Sequence, residues 1–337
     1  MAYQAQITQQ FHDHTYSHLR INDHTLDDQL PCSLQNRIEK SHIRWVPTTT
    51  LGALKVFPPE LIQEILIQLD IRTFINFRYV NKRAAQLADS IPQYKDISTH
   101  AQNALQGILC IGTGQWMTLR TLYDKLCTYR CDHCGDFGGY LYLLTCKRLC
   151  FLCLIHKRPY FPLLRTHARF MFGLNHQTVE ALPRMRVLPG LYSPSRKKAT
   201  PLVLVDYESA LNAGISLHGS LSNMQQYVEH KKAQDDQAYA EKVAAARLRG
   251  SIRQPHRSVT EAFDAHAFNP LRFVVIVRVP WFNTALREED WGSYCIGCED
   301  SSEPPLHYRR KFTVTSFDDH LRQCGRIIDG KHHSETS

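Results

Sequence analysis

Two Cys-x2-Cys pairs constrain the fold of this chain more than any other feature of its sequence. Cys131 and Cys134 form the first pair, Cys150 and Cys153 form the second, and 15 residues separate the two pairs. This spacing is typical of a four-thiolate zinc site, in which sulfur lies about 2.3 Å from the ion in a tetrahedron. Gly135 follows the second thiol, where a positive φ would let a backbone N–H point at sulfur. The sequence therefore predicts a structural zinc ion, because four protein ligands leave no open coordination position.

The residues around these pairs leave the exact ligand set open. Other potential ligands lie close by in the sequence, and each could replace one of the four thiols: Cys127, His133, Cys146 and His156. The apolar run 140–144 predicts a strand, and residues from 150 onward predict the start of a helix. This order of elements is typical of a treble-clef or ribbon-like zinc module.

A second potential zinc site lies near the end of the chain. Cys295 and Cys298 form another Cys-x2-Cys pair, and 21 residues later the sequence continues with His320-x3-Cys324. Ser316 is a suitable N-cap for a helix over 317–323, and the i,i+4 spacing puts the imidazole and the thiol on the same helix face. The pattern predicts a second structural zinc ion, bound by three thiolates and one imidazole.

The composition favours a folded protein that stays inside the cell. The chain has 337 residues, 43% of them hydrophobic, and a net charge of +8. The sequence contains no apolar run of about 18 residues that would span a membrane, and its first ten residues lack the features of a secretory signal. We therefore expect the cytoplasm and/or the nucleus, where the eleven cysteines stay reduced and clustered thiols bind metal. We expect the positive charge to be spread along the chain, with only short basic clusters at 196–198 and 309–311.

The pattern of apolar residues predicts an α+β protein. A small all-helical domain is followed by zinc-stapled α/β modules and a long surface helix, for which Ser222 and Gln225 would form a capping box. Strands are predicted at 202–205 and at 271–279, the latter long enough to be central in a sheet. The predicted division is a flexible N-terminal segment 1–50, a helical domain 51–98, a cysteine-rich module with a connector 99–220, a charged helix 221–250, a linker 251–269, a strand with the second zinc module 270–327, and a flexible tail 328–337.

Residues 57–69, Phe-Pro-Pro-Glu-Leu-Ile-Gln-Glu-Ile-Leu-Ile-Gln-Leu, predict an amphipathic helix. Pro58 and Pro59 suit the entry and first turn of a helix, where a missing N–H costs nothing. An apolar stripe at helical spacing continues through this helix and the two predicted after it: Leu61, Ile62, Ile65, Leu66, Leu69, Phe74, Phe77 and Val80. Three helices of this length bury little area by themselves. The surplus apolar face therefore predicts a partner.

This segment resembles an F-box over residues 52–97. The resemblance is carried by the Phe-Pro-Pro-Glu-Leu opening, the Ile-Leu pair, the Phe-Arg-Tyr-Val-Asn-Lys-Arg centre and the Ser-Ile-Pro-Gln-Tyr exit, with Phe57 where leucine is usual. It implies that the helices dock on a Skp-type adaptor of a cullin–RING ubiquitin ligase, while the rest of the chain holds a substrate. The residues it implies for adaptor binding are those of the helix start and the apolar stripe: Pro58, Pro59, Leu61, Ile62, Ile65, Leu66, Leu69, Phe74, Phe77 and Val80.

The cysteine clusters extend this likeness beyond the first hundred residues. Residues 134–154, the Leu-Pro-Gly-Leu-Tyr segment at 188–192 and residues 316–325 look like the downstream region of a group of fungal F-box proteins. That likeness implies no known substrate.

The function that the sequence predicts is a non-catalytic substrate receptor of a Skp–cullin–F-box ubiquitin ligase, with an unknown protein substrate. No nucleophile-elbow, Walker or Rossmann fingerprint is present, since Ile111-Gly-Thr-Gly is an isolated fragment. The alternative is a zinc-finger nucleic-acid-binding protein, which the net charge and the helix around His320 would support. Asp318 and Asp319 lie in the first turn of that helix, where they would repel phosphate, so nucleic acid is the less favoured partner.

Overall fold

The computed structural model describes residues 2–31, 52–194, 197–249, 269–300 and 305–333, and it confirms a mixture of helices and strands. The helices are α1 (Ala2–His14), α2 (Pro59–Gln68), α3 (Ile71–Val80), α4 (Lys82–Ser90), α5 (Pro92–His100), α6 (Gln102–Ile111), α7 (Leu119–Leu126), α8 (Phe151–His156), α9 (Arg165–Phe172), α10 (His176–Glu180), α11 (Tyr207–His218), α12 (Leu221–Leu248) and α13 (Val314–Cys324). The strands are β1 (Thr15–Tyr16), β2 (Tyr140–Tyr142), β3 (Lys147–Leu149), β4 (Leu163–Leu164), β5 (Arg184–Arg186), β6 (Gly190–Tyr192), β7 (Lys197–Ala199), β8 (Val203–Val205), β9 (Ile276–Arg278), β10 (Trp281–Asn283), β11 (Glu288–Asp290), β12 (Ser293–Cys295), β13 (Lys311–Phe312), β14 (Arg326–Ile328) and β15 (Lys331–His333).

The strands form small antiparallel sheets. The three-stranded sheets have the orders β3-β2-β9, β4-β8-β5 and β1-β12-β13, and the pairs β6-β7, β10-β11 and β14-β15 are two-stranded. In the first of these sheets Leu141 lies opposite both Arg148 and Val277. The strand predicted at 202–205 is present as β8, in the middle of its sheet.

The apolar run 271–279 differs from the long central strand that its sequence predicts. It begins with a 3-10 turn at Pro270–Arg272, and only β9, at the edge of its sheet, is a strand. Residues 273–277 are nonetheless fully buried, and Leu143 donates a backbone hydrogen bond to Val275 at 2.9 Å. The β-branched pattern therefore reflects burial on all sides and not a long strand.

Three helices of the segment 59–100 begin at residues suited to a helix start, and a fourth, α5, follows the three that the sequence predicted. Pro59 is the first residue of α2, and Asp70 caps α3 by accepting a hydrogen bond from the Thr73 backbone N–H at 3.0 Å. Asn81 caps α4 in the same way through the Ala84 backbone N–H, at 2.8 Å. These side-chain caps satisfy backbone donors that a helix start leaves unpaired.

The helices of the predicted domain 51–98 pack against residues that follow them in the chain. The Ile71 backbone N–H donates to the Met117 carbonyl at 3.0 Å, and that of Leu119 donates to the Leu69 carbonyl at 3.2 Å. One hydrophobic core includes side chains from α2, α3, α6, α7, β2 and β9: Ile62, Leu66, Phe74, Leu105, Leu122, Leu141 and Val277. Short helices alone bury too little apolar area. Later parts of the same chain therefore bury some of the apolar side chains of α2 and α3.

The N-terminal part of the chain is ordered, in contrast to the flexible segment 1–50 that its polar composition predicted. Phe11 of α1 packs edge-on against Phe317 of α13, with ring centroids 5.6 Å apart. Farther along, residues 17–31 cross the protein as a strap, in which Leu26 is fully buried in the main core. Long-range contacts compensate for the low local hydrophobicity. Residues 32–50 lie outside the described part of the chain.

Buried polar contacts hold this strap in place. Asp23 accepts a hydrogen bond from the Tyr140 hydroxyl at 2.9 Å and forms an ion pair with the buried Arg309. Asp27 accepts from the Asn103 side-chain amide at 2.5 Å and from the Arg278 backbone N–H at 2.9 Å. The strap therefore connects β2 with the region around the second cysteine cluster.

We expect Asp23→Ala to lower the free energy of unfolding by about 3 kcal/mol, because it leaves the buried Arg309 without its carboxylate. Asp28→Ala is the matched control, since Asp28 pairs with a more exposed Arg278 at 3.3 Å, and such pairs contribute at most about 1 kcal/mol. Urea unfolding followed by circular dichroism measures both. An equal, small effect of the two substitutions would contradict a role for the strap in stability.

The long charged helix predicted at 221–250 is present as α12, but it begins differently. The Ser220 hydroxyl caps it by accepting from the Asn223 backbone N–H at 3.1 Å, so the predicted capping box of Ser222 and Gln225 is not formed. Met224 is the buried residue of this helix. Its other residues lie at or near the protein surface, as the sequence predicted. The predicted linker lies outside the described part of the chain up to residue 268.

The predicted flexible tail also differs in the structure. Residues 326–333 form the hairpin of β14 and β15, in which Ile327 lies opposite His332 and is itself buried. Asp329 and Gly330 make the turn, both with positive φ. Residues 334–337 are not among those the structure describes. Within the described ranges, none of the helices combines the length and apolar character that a membrane span requires.

Candidate metal centres and adaptor surface

The structure brings together the four thiols of the first predicted site, here called the thiolate site: Cys131, Cys134, Cys150 and Cys153. Their sulfur atoms all lie within 4.8 Å of one another, and those of Cys134 and Cys150 are 3.6 Å apart. A zinc ion with sulfur at about 2.3 Å would place tetrahedral ligands about 3.8 Å apart. The spacing of the thiols therefore fits a metal ion bound by four sulfurs.

Local backbone geometry forms each half of the thiolate site. Gly135 has a φ of 84° and its N–H donates to the Cys131 carbonyl at 3.0 Å, which closes the first turn. Cys150 is the N-cap of α8, where its sulfur accepts from the Cys153 backbone N–H at 3.4 Å. Both thiols of each pair consequently face the same side of a tight turn. A side chain at position 135 would strain the left-handed backbone.

The four alternative ligands lie outside this group. His133 contacts the Tyr160 hydroxyl through Nδ1 at 3.4 Å, and His156 is exposed at the end of α8. Burial raises the pKa of the Cys146 thiol to about 12 and also raises that of Cys127. Neither sulfur belongs to the group of four whose ligand atoms lie within 4.8 Å of one another.

The clustered thiols shift one another's pKa values. Hydrogen bonding from Cys134 is the main cause that lowers the pKa of Cys131, whereas hydrogen bonding to Cys131 raises the pKa of Cys150. Sulfur binds a metal ion as a thiolate, so protons on these thiols must leave when the ion binds. Metal binding would displace the remaining protons, so metal affinity should fall with falling pH.

The second site, here called the mixed site, contains two thiols and two imidazoles: Cys295, Cys298, His320 and His332. Nε2 of His332 lies 3.3 Å from the Cys295 sulfur and 3.4 Å from the Cys298 sulfur, and Nε2 of His320 lies 3.4 Å from the Cys298 sulfur. Tetrahedral zinc would separate a sulfur and a nitrogen ligand by about 3.6 Å. This set also fits a metal ion, with ligands from β12, a 3-10 turn, α13 and β15.

In the structure His332, and not the predicted Cys324, completes the group of four with Cys295, Cys298 and His320, whereas Cys324 forms a second candidate group with His307 and His320. The Cys324 sulfur lies 3.5 Å from Nδ1 of His320. It therefore contacts the imidazole ring on the side away from Nε2, the nitrogen that faces the other three ligands. His332 is oriented by its own second contact, Nδ1 to the Gly325 carbonyl at 2.9 Å, which leaves Nε2 as the ligand atom. The i,i+4 spacing correctly placed His320 and Cys324 side by side, but it could not tell which ring nitrogen faces the metal.

A turn signal could have revealed His332. Asp329-Gly330 between an apolar pair and Lys331-His332-His333 is a typical hairpin sequence. That hairpin folds back onto the knuckle, where the His332 ring would contact a Cβ added at Gly297 at 2.8 Å. The mixed site is packed on its own small core rather than on the main one: Phe11, Cys295, Cys298, Phe312, Phe317 and Ile327.

We expect His332→Ala to remove the metal from the mixed site and Cys324→Ser to retain it. The first substitution deletes a ligand, whereas the second changes only a contact to the far side of His320. Elemental analysis of the purified variants, normalised to protein concentration, measures the difference. Loss of metal from Cys324→Ser together with full retention in His332→Ala would restore the ligand set suggested by sequence.

The predicted adaptor residues divide into an exposed and a buried group. Leu61, Ile65 and Val80 are 54%, 52% and 70% exposed, and Pro58 and Pro59 are exposed as well. Leu69 and Phe77 are half-buried against the main core. The buried members cannot contact a partner, because they pack inside the chain itself: Ile62, Leu66 and Phe74.

Further apolar side chains extend the exposed surface beyond the predicted residues. Leu54, Val56 and Phe57 precede α2, and Tyr79 lies beside Val80 in α3, and all of them are exposed. Together with the exposed predicted residues they are here called the exposed stripe: Leu54, Val56, Phe57, Leu61, Ile65, Tyr79 and Val80. Exposed apolar residues grouped in this way are typical of an interaction surface.

Comparison with known proteins identifies the helical segment alone. No curated protein and no solved structure matches the chain. The family model of the F-box domain matches residues 54–96, so the part of the chain that carries the exposed stripe is supported as an F-box domain.

Proposed function

We propose that this protein is a substrate-receptor subunit of a Skp–cullin–F-box ubiquitin ligase. The observation that carries the proposal is that the F-box match at residues 54–96 covers the whole exposed stripe, on α2, α3 and the turn before α2. The stripe would dock on a Skp-type adaptor, which in turn binds the cullin. Such a receptor would act in the cytoplasm or the nucleus.

The proposed role requires no catalysis by this chain. We propose that the thiolate site and the mixed site each hold one structural zinc ion, because four protein ligands close the coordination sphere. Sulfur and imidazole donors in a tetrahedron are typical of this metal. Ubiquitin transfer would be performed by partners, and this chain would recruit a protein substrate.

Rigid attachment of the F-box supports a receptor function, since a fixed link determines where a bound substrate lies. Arg287 donates two hydrogen bonds to the buried Asp96 of α5, at 2.6 Å and 3.0 Å. Beside it, Nδ1 of His100 contacts Glu289 at 2.7 Å. These contacts connect the last F-box helix to the hairpin of β10 and β11. A receptor built this way would hold its substrate at a constant distance from the adaptor.

The direct test is complex formation with a purified Skp-type adaptor. We expect the full-length chain and the adaptor to elute together from a size-exclusion column at equal stoichiometry. Separate elution of two folded proteins would contradict the proposal.

Nucleic-acid binding through α13 is the weaker candidate. Arg322, the arginine of this helix, pairs with Asp318 and lies 3.6 Å from Asp319. The helix begins at Val314 with Thr313 as its N-cap, not after Ser316 as its sequence predicted, so these carboxylates lie in its second turn. They stand beside its arginine, where they would repel phosphate. A titration with duplex DNA at increasing salt should show no specific binding that depends on this helix.

A further inference from the structure

The positive charge of this protein is concentrated in one segment, contrary to the even spread that the sequence suggested. Residues 147–198 contain eleven Lys and Arg residues and a single acidic residue, Glu180. The rest of the chain contains 29 Lys and Arg against 31 Asp and Glu. This segment therefore accounts for the entire positive net charge of the molecule.

The fold gathers arginines from this segment around Glu180. Arg165 of α9 donates to the Glu180 carboxylate at 2.5 Å, and Arg184 of β5 forms a second ion pair with it. His176 lies one turn before Glu180 in α10 and helps to lower the pKa of its carboxyl, after the larger effect of Arg165. The contacts at Glu180 place α9, α10 and β5 side by side.

Two further arginines flank this group without an ion pair to any residue that the structure describes. Arg169 lies one turn after Arg165 on α9, and Arg186 lies two residues after Arg184 on β5. Both are exposed, and Met185 between the β5 arginines is buried, so Arg184 and Arg186 point to the same side of the strand. We call these four arginines the basic face.

Carboxylates on the neighbouring helix do not neutralise the basic face. Asp206 is buried as the N-cap of α11, where it accepts from the Ser209 backbone N–H at 2.8 Å. Glu208 pairs with Lys147 at 2.5 Å. The guanidinium groups of Arg169 and Arg186 thus remain available for an anionic partner.

We propose that the basic face binds an unphosphorylated acidic segment, rich in Asp or Glu, of a partner protein. Guanidinium groups match carboxylates in a planar, two-point contact, and the pairing of Glu180 with two arginines shows this chemistry on the face itself. The inference rests on the proposed receptor function, for which the acidic segment would belong to the protein substrate.

A short peptide fits this face better than nucleic acid does. Nucleic-acid binding of useful strength commonly involves about 6–10 phosphate contacts along a regular backbone. The basic face offers two arginines that form no ion pair with the described residues, beside a carboxylate, an arrangement that suits a few separated negative charges. Competition between the two kinds of ligand decides between them.

Fluorescence anisotropy with a fluorescein-labelled peptide of alternating glutamate and glycine tests the proposal on the full-length protein. We expect binding that weakens with added salt and is absent for the same peptide with glutamine in place of glutamate. Arg169→Glu combined with Arg186→Glu should weaken binding by about tenfold or more. Because both side chains are exposed and unpaired among the described residues, metal content and circular dichroism should stay unchanged.

The matched control is Lys242→Glu combined with Arg247→Glu, which changes the net charge by the same amount. Both positions lie on α12, at least about 22 Å along the helix beyond Tyr227, which contacts the region of α9. This control should bind the glutamate peptide like the wild type. Equal weakening in both double variants would overturn the proposal, because general charge and not the basic face would then cause binding.

Two further measurements distinguish an acidic protein segment from nucleic acid and separate peptide binding from adaptor binding. Tighter binding of a single-stranded DNA oligonucleotide than of the glutamate peptide, lost in the basic-face variant, would overturn the proposal in favour of nucleic acid. Adaptor capture is measured independently on the same samples. Failure of peptide binding with intact adaptor capture rejects this inference alone, whereas failure of adaptor capture with intact peptide binding rejects the proposed receptor function.

Discussion

A chain with both Leu61→Asp and Ile65→Asp is expected to lose capture of a Skp-type adaptor by at least about a hundredfold. Each side chain is more than half exposed, so neither substitution places a charge inside the protein. Burying the exposed half of these two side chains in an interface contributes roughly 1.5–3 kcal/mol in total, and the introduced carboxylates would have to lose water there. Titration of labelled adaptor with the purified chain measures the loss.

The control for this variant is Leu248→Asp with Leu286→Asp, which places the same charges on exposed leucines outside the F-box. These residues are 90% and 66% exposed, and we expect unchanged adaptor capture. By contrast, Leu66→Asp should unfold the protein, because Leu66 is 3% exposed in the main core. Normal capture by the Leu61 and Ile65 double variant would reject docking through the exposed stripe.

Loss of metal from the thiolate site is expected to destabilise the F-box helices. Loss of metal from the mixed site is not. Cys131, Cys150 and Cys153 are buried in the same hydrophobic core as Leu66 and Leu122. Structural zinc contributes an apparent free energy of about 10–16 kcal/mol to small modules, more than the usual stability of a whole domain. Cys150→Ser should therefore lower the melting temperature of the main core and abolish adaptor capture.

Cys298→Ser is the matched substitution at the mixed site. Cys298 belongs to a separate small core with Phe312 and Phe317, so its loss should expose the C-terminal region to proteases while adaptor capture survives. Limited proteolysis and elemental analysis of both variants, with and without chelator, provide the measurements. If Cys150→Ser lacked one metal ion yet captured the adaptor as the wild type does, the thiolate site and the F-box would be energetically independent. That outcome would contradict the prediction.

The thiolate site shows what short-range sequence patterns can predict. Both of its pairs are closed by single turns, at Gly135 and at the start of α8, so ligand spacing and local backbone geometry carry the same information. The start of α2 after Pro58 and the caps of α3 and α4 are similarly local. Each of these features depends on residues within about one helical turn, where few alternative conformations compete.

Contacts between distant parts of the chain could not be read from such patterns. The apolar stripe correctly indicated helices in the F-box, but only packing against α4 and α7 decided that Ile62, Leu66 and Phe74 are buried while Leu61 and Ile65 stay exposed. Apolar residues at helical spacing identify the apolar face of a helix. They do not show whether the same chain or a partner protein buries that face.

The sequence by itself determined the F-box helices, the thiolate site and the long helix α12, because neighbouring residues specify each of them. Only the tertiary structure placed His332 in the mixed site, made the polar N-terminal strap part of the core, and assembled the basic face around Glu180. All three depend on segments that are far apart in the sequence, and their free energy comes from long-range burial and ion pairing that no local periodicity records.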